Sequence, residues 1–103
     1  MSETVNRLRK TLVERTLHGA GKSKGNDRRA AFDNRDVPAA ARALIDKVAK
    51  HAWKVTDDDV AAVKAAGLSD DQIFELVITA ALGESTRQLD AALAALAVAS
   101  ETP

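Results

Sequence analysis

Residues 16–27 read "TLHGAGKSKGND", and GAGKS has the look of the closing part of a phosphate-binding loop. Such a loop needs a glycine, four residues, then Gly-Lys-Ser/Thr, because the wrapped backbone must aim several N–H groups at one phosphate. With Gly21, Lys22 and Ser23 closing the motif, its opening position is Thr16 rather than glycine. The motif must also follow a buried strand and open a helix. Here helical spacing precedes it, in "RLRKTLVERTL", and turn-forming Lys24, Gly25, Asn26 and Asp27 follow. The expectation is a disordered basic connector over 18–27 that binds no nucleotide.

Three other groups of residues could carry chemistry. His51, Trp53 and Lys54 form one, suited to a pocket for a small acid or an aromatic ligand. Their plainer reading is a cation at a helix C-terminus beside a Trp that anchors core or interface. Glu75 sits on the sole polar stripe of an otherwise apolar helix (Gln72, Glu75, Thr79, Gly83), where a carboxylate needs a partner or acquires a raised pKa. A salt bridge to Arg87, Arg42 or another subunit is its plainer role. Asp57, Asp58 and Asp59 are consecutive acids that point in different directions on a helix, and no EF-hand spacing accompanies them. His18 and His51 give a zinc site little support, so neither a metal nor another cofactor is expected.

The elements that would position these groups have to come from 103 residues, enough for one small domain. Cysteine is absent, which excludes disulfides, thiolate metal sites and thiol nucleophiles. Aromatics make up 3% and alanine about a fifth, so the interior is thin and help from a second subunit is expected. No apolar run approaches the ~20 residues that span a bilayer, and no N-terminal signal core is present. A cytoplasmic protein of bacterial type is the expectation. The zero net charge is segregated: residues 1–54 hold thirteen Lys/Arg against six Asp/Glu, and residues 55–103 two against nine. Opposed halves suit attraction within the chain, contact between subunits, or an anionic partner. Nucleic acid is not the expected partner, because no aromatic alternates with the cations of residues 7–29 and no helix-turn-helix follows.

Periodicity predicts helices and no strands. Val5, Leu8, Leu12, Val13 and Leu17 give a first helix over 3–17, and residues 28–34 one short turn capped by Asp27 and anchored by Phe32. From Pro38 a helix runs to Trp53 with Ala41, Leu44, Ile45, Val48 and Ala52 on one stripe. Thr56 caps the next, which Gly67 closes. Ser69 and Gln72 form a capping box for a helix apolar on nearly every side. Gly83, followed by Ser85 and Gln88 at capping-box spacing, predicts a break. A last helix then turns Leu89, Ala92, Leu93 and Leu96 inward, and the tail frays. The domain plan is a basic helix and flexible loop over 1–27, a helical domain over 28–98 and a tail over 99–103.

Between about Pro38 and Leu96, the stretch "KVTDDDVAAVKAAGLSDDQIFELVITAAL" and the apolar helix after Arg87, with Leu89 and Leu93, resemble a known family. The resemblance is to the C-terminal half of carboxymuconolactone decarboxylase-like and alkylhydroperoxidase-like proteins, over a little more than half the chain. It implies an all-α fold, a small bundle of about five helices that assembles into dimers or larger rings through its long helices. The family's peroxidases use a Cys-x-x-Cys pair with a His and a Glu, and its decarboxylases a basic residue near a small carboxylic acid. This chain has no cysteine, so thiol peroxidase chemistry is excluded. The thiol region falls near His51–Val55, "HAWKV", and no site residue transfers by identity. Two readings follow. One is an assembly or partner subunit, a homo-oligomer or the companion of a full-length family enzyme, with Phe74, Ile78, Leu82, Leu89 and Leu93 at the interface. The other is a binder or decarboxylase of small carboxylic acids using His51, Lys54 or Glu75.

Overall fold

The computed structural model describes residues 3–19, 21 and 23–101, apart from the side chains of residues 5 and 101. Among them the regular elements are all helical: α1 (Glu3–His18), α2 (Gly25–Asp33), α3 (Ala39–Lys50), a 3-10 turn (Ala52–Lys54), α4 (Asp57–Ala65) and α5 (Asp70–Glu101). The last is the spine, and α1, α2, α3 and α4 all contact it.

Local chemistry sets several of the boundaries. The Thr56 hydroxyl accepts the Asp59 amide at 3.3 Å, while the Asp59 carboxylate accepts the Thr56 amide at 2.9 Å. This reciprocal box satisfies two of the amides that a helix start leaves unpaired. Ser69 and Gln72 do the same for α5, at 3.2 and 2.9 Å. Gly67 follows the end of α4 at φ +107°, a conformation that costs glycine little. At the end of α2, Asn34 adopts φ 50°, and the amides of Asn34 and Arg35 return to Ala31 and Ala30. Two arginines then satisfy helix ends from a distance. Arg87 of α5 donates to the Phe32 carbonyl at 2.6 Å, and Arg28 of α2 donates to Gly19 and Thr16 beyond and within α1, at 2.7 and 3.3 Å.

Several expectations need correction. The second helix begins at Gly25, not Arg28, without a side-chain cap; Asp27 lies in its first turn, and Ala31 rather than Phe32 is its buried anchor. Residues 25–27 are therefore helical, and Ser23 is buried; Ala20 and Lys22, also in the expected connector, lie outside the described residues. The third helix stops at Lys50, three residues early, which leaves Ala52 exposed. No break occurs at Gly83. The Ser85 hydroxyl donates back to Ala81 and Leu82 instead of capping a new helix, and the Gln88 amide donates to Glu84. Ala92 and Leu96 are exposed, and Leu89 and Leu93 half-buried, so this stretch does not turn inward. Ser100 and Glu101 are still helical; Thr102 and Pro103 lie outside the described residues.

The core is small. Ala31, Val37, Ala41, Leu44, Ile45, Val63, Ile73, Leu76 and Ala80 form one buried cluster where α2, α3 and α4 meet α5. Its largest fully buried side chains are Ile45, Val63 and Thr79. The extents are 56 × 29 × 20 Å and the radius of gyration is 15.6 Å, against about 12.8 Å for a compact domain of this length. The charge halves do meet: Arg9–Asp90 and Lys47–Asp59, each at 2.8 Å, join residues 1–54 to residues 55–103.

Candidate functional site

The polar stripe of α5 faces inward. Ile73, Leu76 and Ala80 point into the core, and Thr79 and Gly83 are buried on the neighbouring side. Thr79 satisfies its hydroxyl by donating to the Glu75 carbonyl one turn back, at 2.6 Å. Glu75, half-buried, reaches the segment between α1 and α2, where its Oε2 accepts the Ser23 amide at 3.1 Å. Its Oε1 lies so close to Gly21 that a β-carbon there would overlap it. Gly21 and Ser23, from the stretch that looked like a phosphate loop, thus lie against a carboxylate of their own chain. A backbone amide that would serve an incoming anion is donated to Glu75 instead. The expected salt-bridge partners are committed elsewhere: Arg87 contacts Glu84 and Phe32, and Arg42 donates to Val37.

Beside this contact is a pocket of about 170 Å³ lined by Arg15, Thr16, Arg28, Phe74, Ile78 and Thr79 along with Glu75. Both arginines come from the basic half, and the Arg28 Nε is buried with no hydrogen-bond partner among the described residues. The same holds for the Ser23 hydroxyl.

His51, Trp53 and Lys54 stand elsewhere. His51 leaves α3 at φ −146° and ψ 59°, and its ring meets the edge of Trp53 with centroids 5.2 Å apart. Trp53 is 77% exposed, so it anchors no core in this chain, and it lines a shallow groove with Val48, Ala81 and Gln88. His51 and Lys54 line neither this groove nor the Glu75 pocket. The structure therefore does not assemble His51, Lys54 and Glu75 into one site.

A concavity of about 580 Å³, to which no sequence motif pointed, lies at the α2–α3 turn. Asn34, Asp36, Arg42 and Asp46 supply its polar lining. Asn34 and Asp36 both hold positive φ, at 50° and 60°, and the signal for them was the turn-forming run "DNRDVP". The Asn34 amide donates to Asp46 at 3.1 Å and, with Lys50, holds that carboxyl below its ordinary range. Across the fold, the Lys47 ammonium on Asp59, helped by the Thr56 amide, lowers that carboxyl as well. Asp57 and Asp58 are exposed, and no cluster of three or more His, Asp or Glu suited to a metal ion occurs among the described residues.

The interface candidates divide by exposure. Phe74 is 64% and Ile78 45% exposed, whereas Leu82, Leu89 and Leu93 are half-buried. On α1, Leu17 is buried but Leu8 and Leu12 are 66% and 53% exposed. Among the described residues no helix is long and apolar enough to cross a membrane. Comparison with models of known families, with curated proteins and with solved structures found no match to this chain.

Proposed function

We propose that this chain is a non-catalytic assembly subunit that works through contacts made by α5. Its kind, on the resemblance of residues 38–96, is that of the cysteine-free carboxymuconolactone decarboxylase-like proteins. Its first partner is a second copy of itself, and a full-length enzyme of that family is a further one. The observation that carries the reading is the inversion on α5: Glu75 and Thr79 turn inward while Phe74, Ile78, Leu96 and Val98 along the helix stand in solvent. Burying a large apolar side chain contributes roughly 1.5–3 kcal/mol. Several left in water forgo much of a small domain's ~5–15 kcal/mol. The dispersal of His51, Lys54 and Glu75 supports the non-catalytic part.

Sedimentation equilibrium of the full chain across the micromolar range tests this. The expected mass is a multiple of 10.9 kDa. A folded particle of monomer mass throughout that range defeats the reading.

A second reading, a binder of small carboxylic acids, draws on Arg15 and Arg28 beside Phe74 in the 170 Å³ pocket. Titration calorimetry with benzoate and short aliphatic carboxylates separates it: saturable heat that Arg28→Ala removes would favour the binder.

A further inference from the structure

Resting on the association reading above, we propose that α5 pairs antiparallel with α5 of a second copy of this chain. The seam consists of Leu82, Leu89 and Leu96 alternating with Ser85, Ala92 and Ala99.

The spacing is the first support. Leucines recur every seven residues, and the small residues fall three after each of them. This is the a/d pattern of a two-helix coil. No chain break interrupts it, because α5 is continuous past Gly83. Ser85, Ala92 and Ala99 are exposed, Leu96 is 61% exposed, and Leu82 and Leu89 are half-buried.

Charge is the second. Between residues 76 and 100 the charged residues are Glu84, Arg87 and Asp90. All are engaged within the chain: Arg87 with Glu84 and the Phe32 carbonyl, Asp90 with Arg9. The positions flanking the seam, Ala81, Thr86, Gln88, Leu93, Ala95 and Ser100, carry no charge at all. A solvent-facing helix ordinarily places charges on its outer face. Here the exposed charges, Arg87 and Asp90, stand off the seam, and the seam and its flanks over 81–100 carry none.

Area is the third. The chain exposes 7009 Å², about 1,400 Å² more than the roughly 5,600 Å² of a compact monomer of this mass. A stable interface removes ~800 Å² per partner, less than this excess of the whole chain, to which the exposed Leu96 of the seam contributes.

The alternation of large and small residues selects the direction. Antiparallel, Leu82 faces Ala99 of the second copy, Leu89 faces Ala92 and Leu96 faces Ser85, so each leucine meets a small residue and every layer fills. Parallel, leucine would stack on leucine and alanine on alanine, leaving alternate layers crowded and empty. Ser85 fits such a seam because its hydroxyl already donates to Ala81 and Leu82 and leaves no orphan when covered.

The test combines two variants with the sedimentation measurement. Ala92→Leu puts a second leucine against Leu89 of the other copy at both symmetric layers. The dimer dissociation constant is expected to rise at least tenfold, with helical circular dichroism unchanged. A parallel coil would instead gain from the filled layer. In the cysteine-free background, Ser85→Cys/Leu96→Cys should oxidise to a disulfide-linked dimer. Ala99→Cys alone should not, because its two copies stand ~25 Å apart along the axis, seventeen residues at ~1.5 Å each. A monomer at every concentration overturns both this pairing and the association reading. An oligomer that Ala92→Leu leaves unchanged or tightens, or that Ala99→Cys cross-links, overturns the pairing alone.

Discussion

Gly83 and Phe32 are in direct backbone contact: a β-carbon on Gly83 would overlap the carbonyl group and Cα of Phe32. Here α5 crosses α2, and the crossing is this close because one side chain is missing. In an exposed helix, Gly→Ala stabilises by up to ~1 kcal/mol. At this position the obstruction is backbone, so α2 must move away. Gly83→Ala is expected to destabilise by ~1–3 kcal/mol, the usual range for overpacking. Urea denaturation followed by circular dichroism measures it, and a higher midpoint for the variant would mean the helices do not cross there.

That glycine also shows where sequence reading stops. The capping boxes at Thr56/Asp59 and Ser69/Gln72 were legible because their partners are three residues apart. Gly83, Ser85 and Gln88 gave an equally local signal, of a break, and α5 runs through it. Glycine's helix penalty can be read from one position, whereas the backbone that needs its missing β-carbon lies 51 residues away. Glu75 was legible as a carboxylate in need of a partner. That the partner is the Ser23 amide depends on how α2 packs, and no spacing rule encodes it. Likewise helical spacing linked Leu8 and Leu12 and, more loosely, Leu17 in α1, but Leu17 lies on the opposite side of the helix from Leu8, and of the three only it is covered.

The contact between Glu75 and Ser23 predicts a local effect. A hydrogen bond to a charged acceptor contributes ~1.5–3 kcal/mol. Glu75→Ala should speed exchange of the Ser23 amide at least tenfold while amides of the Ile45 and Val63 core stay protected. Glu75→Gln, which keeps an acceptor, should fall between the two. Native-state hydrogen exchange by NMR reads all three, and equal protection of the Ser23 amide in wild type and Glu75→Ala would remove the role given to this carboxylate.

Asp59 predicts a pH dependence. Lys47 and the Thr56 amide lower its carboxyl below the ordinary value, so it binds its proton more weakly folded than unfolded. Its contribution is therefore complete above the unfolded carboxyl range, near ~4, and disappears as pH falls through the lower folded value. Asp59→Asn keeps an acceptor for the Thr56 amide but loses the charge facing Lys47. The variant should melt below wild type at pH 6, with the gap closing towards pH 2. Added salt at pH 6 should narrow it only in part, since the pair is half-buried. A gap that is constant with pH would show that the charge on Asp59 contributes nothing.

Arg87 and Gly83 act on the same group from one helix, and this predicts that their effects do not add. Arg87 donates to the Phe32 carbonyl at 2.6 Å, one of the acceptors that the end of α2 leaves unpaired within the helix. Gly83 lets that carbonyl approach α5 closely enough to be reached. Arg87→Ala alone should cost ~1–3 kcal/mol, the range for losing the charged partner of a hydrogen bond. Once Gly83→Ala has pushed α2 outward, the guanidinium has already lost its acceptor, and removing it should cost little more. The double variant is then more stable than the sum of the singles implies, with a coupling energy of ~0.5–3 kcal/mol for residues sharing one contact. Arg87→Lys should recover part of the single-variant loss, because an ammonium can still donate although it lacks the planar fork. Urea denaturation of the four corners of the cycle supplies the numbers. Strict additivity within ~0.3 kcal/mol would place the two residues in independent roles and leave the α2 end held by something other than this pair.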